Sequence, residues 1–278
     1  MAPPAREHVY ASAINSDYYL RMKTSLRTVT CNHAQATLQG QLAVPSSAGP
    51  HPAILVMPNA HGLGDQVRET ASRLAELGYI ALATDMYGGG VFYTDVKATG
   101  AAISPLWADP QLLRSRVVAW FETLCALPDV DRSRVAAIGY CFGGLCVLEL
   151  ARSGADVKAV VSYHGILKTA LPARPGEVRA HIAVYTGAKD PYAPADQVEA
   201  FRQEMITAAA RWQIMTFGEA YHAFTDPTSM SSSVPGLAYD EIAHRVSWAG
   251  TLALLEQTLA SRGPVFSDPT TLGVDAAK

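Results

Sequence analysis

Val135-Ala136-Ala137-Ile138-Gly139-Tyr140-Cys141-Phe142-Gly143-Gly144-Leu145-Cys146-Val147 is the stretch on which the reading of this chain turns. It opens as a short apolar run of strand character and closes as an apolar run compatible with a helix. Between the two lies Gly-x-Cys-x-Gly, the form of a nucleophile elbow with sulfur in place of the commoner serine hydroxyl. A sharp strand-to-helix turn strains its central residue and crowds the residues two positions to either side, so glycines belong at 139 and 143. The helix that follows would point free N–H groups and its positive dipole end at the sulfur, favouring thiolate.

Outward from the elbow, apolar strands alternate with helices. Strands are predicted at Ala53–Met57, Tyr79–Thr84, Val157–Tyr163, His181–Thr186 and Arg211–Phe217. Helices are predicted over about Gln66–Leu77, around Leu113–Leu124, over Phe142–Ser153, Ala195–Ala209 and Tyr239–Leu259. Gly78 stands where a helix end favours a left-handed residue. Before them, Leu26–Thr30 and Ala36–Val44 alternate apolar with polar residues and read as an antiparallel hairpin joined by Asn32-His33. The expected fold is α/β: one domain with a doubly wound, mostly parallel sheet and an antiparallel N-terminal edge.

The expected organisation is an arm over 1–24, the domain over 25–262 and a polar tail over 263–278. Tyr87 to Asp109 carries Gly88-Gly89-Gly90, Phe92, Tyr93 and Trp107 without a sustained period, and reads as a lid or pocket wall rather than a plain surface excursion.

The net charge of −3, without a block of like charge, speaks against a nucleic-acid partner. No apolar run approaches the ~20 residues needed to span a bilayer. The first residues lack the apolar core of a signal peptide, so the expected location is the cytoplasm, as a monomer or homodimer. Cys31, Cys125, Cys141 and Cys146 show no C-x-x-C spacing and read as free thiols, with Cys146 a core residue.

A thiol nucleophile needs a base, a residue that orients the base, and donors for the developing oxyanion. In open parallel sheets such groups sit just past the C-terminal ends of strands. Asp190 lies past the strand ending at Thr186, and His222 lies in the loop after the last strand, in the nucleophile–acid–base order expected of this elbow. The bland alternatives are a turn-forming Asp before Pro191 and a satisfied core histidine. Phe142 and Ala60, the latter in the loop Pro58–Gly64, are the candidate oxyanion donors. His61 is a weaker rival base that more naturally lines the pocket. Asn59, His61, Tyr87, Phe92, Tyr93, Trp107 and Tyr192 are the candidate substrate contacts, and neither metal nor cofactor is expected.

Gly139-Tyr140-Cys141-Phe142-Gly143-Gly144, Gly187-Ala188-Lys189-Asp190-Pro191 and Tyr221-His222-Ala223-Phe224 resemble the motifs of the dienelactone hydrolase family of α/β-hydrolases. A looser likeness runs through Arg68-Glu69-Thr70, Leu74–Tyr79 and Asp85-Met86-Tyr87-Gly88. The resemblance implies an α/β-hydrolase core, a Cys141–Asp190–His222 triad and hydrolysis of a small-molecule ester or lactone without a cofactor. It also exposes two departures. Family members that open dienelactone carry a glutamate where this chain has Asn59, and arginines for the substrate carboxylate where this chain offers Asp226 and, in the excursion, only Lys97. A neutral acyl substrate is therefore expected, since an acid beside a carboxylate repels it. The rival readings are an acyltransferase, thioesterase or cyclising enzyme with the same triad, and a binding protein on a hydrolase scaffold.

Overall fold

The computed structural model describes residues 26–231 and 234–260; the expected arm over 1–24 and tail over 263–278 lie outside the described residues. Eight strands form one sheet: β1 (Arg27–His33), β2 (Ala36–Ala43), β3 (His51–Met57), β4 (Ile80–Ala83), β5 (Val130–Tyr140), β6 (Ala159–Tyr163), β7 (His181–Gly187) and β8 (Arg211–Phe217). Their spatial order is β1-β2-β4-β3-β5-β6-β7-β8. β1 and β2 pair antiparallel, as do β2 and β4, and every other pairing is parallel. The mostly parallel sheet with an antiparallel edge is thus the one the apolar runs called for.

The helices are α1 (Asp65–Glu76), α2 (Val96–Ala108), α3 (Pro110–Cys125), α4 (Phe142–Arg152), α5 (Ala195–Thr207) and α6 (Glu241–Leu259). They cover both sheet faces. Trp120, Phe142 and Phe201 belong to the core on one side, Tyr163, Trp248 and Leu255 to the core on the other. Strands buried on both faces must be apolar throughout, which is why β3 and β6 read as unbroken runs. α1 ends as its sequence suggested: Gly78 has φ +94°, its N–H donates to Ala75 O, and the Tyr79 N–H donates to Leu74 O, the paired bonds of a Schellman end.

Two local expectations are corrected. Asn32 and His33 belong to β1, and the hairpin turns two residues later, at Ala34-Gln35, where Ala34 takes φ +52°. Alanine is not a residue that announces such a turn, so the polar pair before it drew the boundary. The excursion 87–109 holds a regular helix, α2, whose first N–H groups are capped by the Asp95 carboxylate accepting from Ala98 N at 2.8 Å. Its buried stripe is Thr99, Ile103 and Leu106. That stripe starts on a threonine, and the segment carries Gly100 and Pro105, both poor helix formers, so the period was masked.

Candidate active site

Cys141 sits where β5 gives way to α4, with φ 55° and ψ −115°. Its N–H donates to Tyr163 O at 3.0 Å, carrying the sheet ladder one residue past the strand. The flanking glycines are required by contact. A Cβ on Gly139 would lie 2.0 Å from Gly143 O, and one on Gly143 would lie 2.3 Å from Met57 O. Backbone against backbone cannot yield, so no larger residue fits.

His222 and Asp190 meet on the same side. Buried His222 donates from Nδ1 to Asp190 Oδ2 at 2.9 Å, which leaves Nε2 for Cys141. The other oxygen of Asp190 accepts the Tyr192 N–H at 2.8 Å. Asp190 is held at the end of β7 by its own N–H donating to Gly187 O. The His222 loop is stitched by His222 N to Gly236 O and Ala238 N to His222 O, both at 3.0 Å.

The electrostatics follow from these contacts. Burial pushes the Cys141 thiol up, but the hydrogen bond to His222, its charge, and the N–H groups of Phe142 and Ala60 together leave it below its ordinary value. Burial works against a charge on His222, and the bonds to Asp190 and Cys141 outweigh it, raising the imidazole to about 10. Sulfur and imidazole thus favour the thiolate–imidazolium form. Cys146 is the contrast: fully buried without such partners, its thiol is driven well up.

Ala60 is presented by a loop that Asn59 ties to itself and to α1. Asn59 Oδ1 accepts the His61 N–H at 2.9 Å, and Asn59 Nδ2 donates to Gln66 Oε1 at 3.3 Å. The Tyr87 hydroxyl donates to Ala60 O at 2.8 Å, while the Tyr87 ring lies nearly parallel to that of Phe142. One side chain therefore touches both residues whose N–H groups face the sulfur. His61 Nδ1 lies 2.9 Å from Tyr93 O, and a carbonyl only accepts, so that nitrogen carries the proton.

The aromatic residues expected at the pocket form one connected wall: Trp107 meets Phe142 edge-on, Tyr93 meets Tyr87 edge-on, and Phe92 tilts against His61. Tyr192 stands apart from that wall, its ring 4.7 Å from that of His222. The Asn59 amide is bonded at both ends, its oxygen to the His61 N–H in the loop and its nitrogen to Gln66 in α1. Asp226 is likewise occupied locally, accepting from the N–H and hydroxyl of Thr228.

One supporting residue escaped the sequence reading. Asp85, read only as a strand end, is fully buried and accepts from the N–H groups of Gln39, Tyr87, Gly88 and Gly90. It clamps the start of the excursion. A lone Asp before an aromatic and three glycines gave only a turn signal, since the four donors converge through tertiary contact.

Among the described residues, no group of three or more His, Cys, Asp or Glu is placed to hold a metal ion. Among them also, no helix is long and apolar enough to cross a membrane.

Residues 38–259 match the dienelactone hydrolase family. An uncharacterized protein of Caenorhabditis elegans is 36% identical over 151 residues, covering 53% of this chain and 95% of its own length. A solved structure named m3DLH is 36% identical with a TM-score of 0.80, covering 85% of this chain and 99% of that one. The crystal structure of P91, a dienelactone hydrolase-like promiscuous phosphotriesterase from metagenomic libraries, is also 36% identical with a TM-score of 0.80, covering 84% and 98%.

Proposed function

This chain belongs to the dienelactone hydrolase family and is an ester and lactone hydrolase, and we propose that it works through a covalent thioester on Cys141 with a neutral substrate. The observation that carries this reading is that the His222 side chain and the Ala60 and Phe142 N–H groups all act on the Cys141 sulfur. The thiolate attacks the substrate carbonyl, and the two N–H groups stabilise the negative charge that develops on its oxygen. As the tetrahedral species collapses, the C–O bond to the leaving group breaks and protonated His222 passes its proton to the departing alkoxide. Neutral His222 then takes a proton from water, the hydroxide adds to the thioester carbonyl, and collapse releases the carboxylic acid and the thiolate. Asp190 holds the imidazole in the tautomer this needs.

The neutral-substrate part rests on charge. Asn59 brings no carboxylate to the sulfur, Asp226 adds no cation, and the wall from Phe92 to Trp107 is aromatic. P91 is named for phosphotriesters, which are also uncharged. Asn59 acts in this reading by positioning Ala60 rather than by touching substrate.

The test is turnover of neutral short-chain esters and lactones beside the dienelactone anion. Cys141→Ala should abolish turnover, Cys141→Ser should keep a fraction, and mass spectrometry should find an acyl adduct on Cys141. Wild-type turnover in Cys141→Ala would refute the mechanism, and a preference for the dienelactone anion would refute the neutral substrate. Adding amine or alcohol acceptors to the trapped adduct tests acyl transfer against hydrolysis.

A further inference from the structure

Five non-glycine residues among the described ones have a positive φ: Ala34, Cys141, His164, Ala209 and Ala223. Ala34 turns the first hairpin and Ala209 follows the end of α5. The remaining three surround the triad, being the nucleophile itself, the residue after β6, and the residue after His222. Backbone strain that persists at a non-glycine residue asks what its side chain is held in place to do.

His164 is built like the elbow one strand over. Cys141 N–H donates to Tyr163 O and His164 N–H donates to Tyr185 O at 2.8 Å, so each extends its strand's ladder by one residue and then turns left-handed. The side chain of His164 is 1% exposed and packs edge-on against the His222 ring, with centroids 5.0 Å apart. Its Nε2 lies 2.8 Å from Thr225 Oγ1, on the loop that carries His222. Phe224 closes its far side, 5.1 Å away, and Tyr140 lies near it. The bond from His222 to Asp190 fixes one atom of the catalytic ring, but two walls fix its plane. Tyr192 is the exposed wall, at 44%, whereas His164 is the buried one.

We propose that His164, anchored by Thr225, is a positioning residue that holds the plane of the His222 imidazole for proton transfer at Cys141. This rests on the triad reading above. Burial and the nearby His222 and His244 charges keep His164 neutral, so it adds no like charge beside the imidazolium.

His164 touches no substrate in this role. His164→Ala should therefore lower kcat by about tenfold or more, with KM within about twofold of wild type. Thr225→Val removes the anchor and should lower kcat by roughly threefold or more, while Thr225→Ser keeps the hydroxyl and should stay within about twofold. The distinguishing readout is the low-field proton resonance of His222 Nδ1–H, assigned by its absence in His222→Gln. It should move or broaden in His164→Ala and Thr225→Val and stay in place in Thr225→Ser. Wild-type kcat and an unmoved resonance in His164→Ala would overturn the proposal. Should that variant not fold, the same result in Thr225→Val would do so. Turnover surviving in Cys141→Ala, by contrast, would remove the triad reading itself.

Discussion

Gly139 and Gly143 approach so closely across the elbow that a Cβ on the first would lie 2.0 Å from the carbonyl oxygen of the second. The partner atom is backbone at the start of α4, which carries the Phe142 N–H toward the sulfur. Gly139→Ala should therefore destabilise the fold by about 1–3 kcal/mol through overpacking and displace Cys141. Urea denaturation and ester turnover measure the two effects, and a wild-type midpoint with wild-type rate would show that the turn can relax.

The pH dependence follows from opposite shifts in two coupled groups. Cys141 lies below its ordinary value and His222 is raised to about 10, so thiolate and imidazolium coexist between them. As pH falls through the Cys141 value, the sulfur is protonated and the nucleophile is lost. As pH rises through about 10, His222 loses the proton that the leaving group needs. The kcat/KM profile should be a bell with its alkaline limb near 10. Because His222 lowers the thiol, His222→Gln should move the midpoint of iodoacetamide alkylation of Cys141 to higher pH. An unmoved midpoint would mean that His222 does not activate the sulfur.

Tyr87 reaches the oxyanion loop with one hydrogen bond, from its hydroxyl to Ala60 O. Tyr87→Phe removes that bond and leaves the ring on Phe142. A net hydrogen bond of about 1 kcal/mol corresponds to a fall of about fivefold in kcat/KM. Steady-state kinetics on a neutral ester checks it. An unchanged value would assign the position of Ala60 to Asn59 alone.

Arg152 lies far from this chemistry in role, yet it is 2% exposed. It pairs with Glu149 at 3.0 Å and Glu204 at 2.8 Å and donates to Leu167 O at 2.9 Å. Arg152→Met leaves Glu204 without its cation and Glu149 to Arg114 alone, and breaking such a buried set costs about 3–5 kcal/mol. The Tm should fall by about 10 °C, with kcat at 25 °C within about twofold of wild type. A calorimetric scan and an assay on the same sample separate the two. A wild-type Tm would mean that Arg114 and the Ala173 N–H suffice to hold the two carboxylates.

The candidate site is legible in the sequence where its residues are tied to strand ends. Cys141, Asp190 and His222 follow β5, β7 and β8, and apolar runs announce those ends because strands buried on two faces tolerate little else. Local structure is not legible where local signals compete. Thr99, Gly100 and Pro105 hid α2, and Ala34 gave no sign of the first turn. Nor does the sequence show that the Asn59 amide is bonded to His61 and Gln66.

The sequence by itself determined the layered α/β fold, the elbow and the order of the three candidate catalytic groups, since each depends on neighbours a few residues apart. Only the tertiary structure decided how those groups are held. His164 reaches His222 across 58 residues of chain, Asp85 reaches Gln39, and Tyr87 reaches Ala60. Those contacts exist because the sheet brings the ends of its parallel strands to one edge and lays the antiparallel β2 beside β4, juxtapositions that no local pattern records. The elbow is thus legible as a turn in the sequence, and its thiol is drawn below its ordinary value only once the sheet has gathered His222, Ala60 and Phe142 around it.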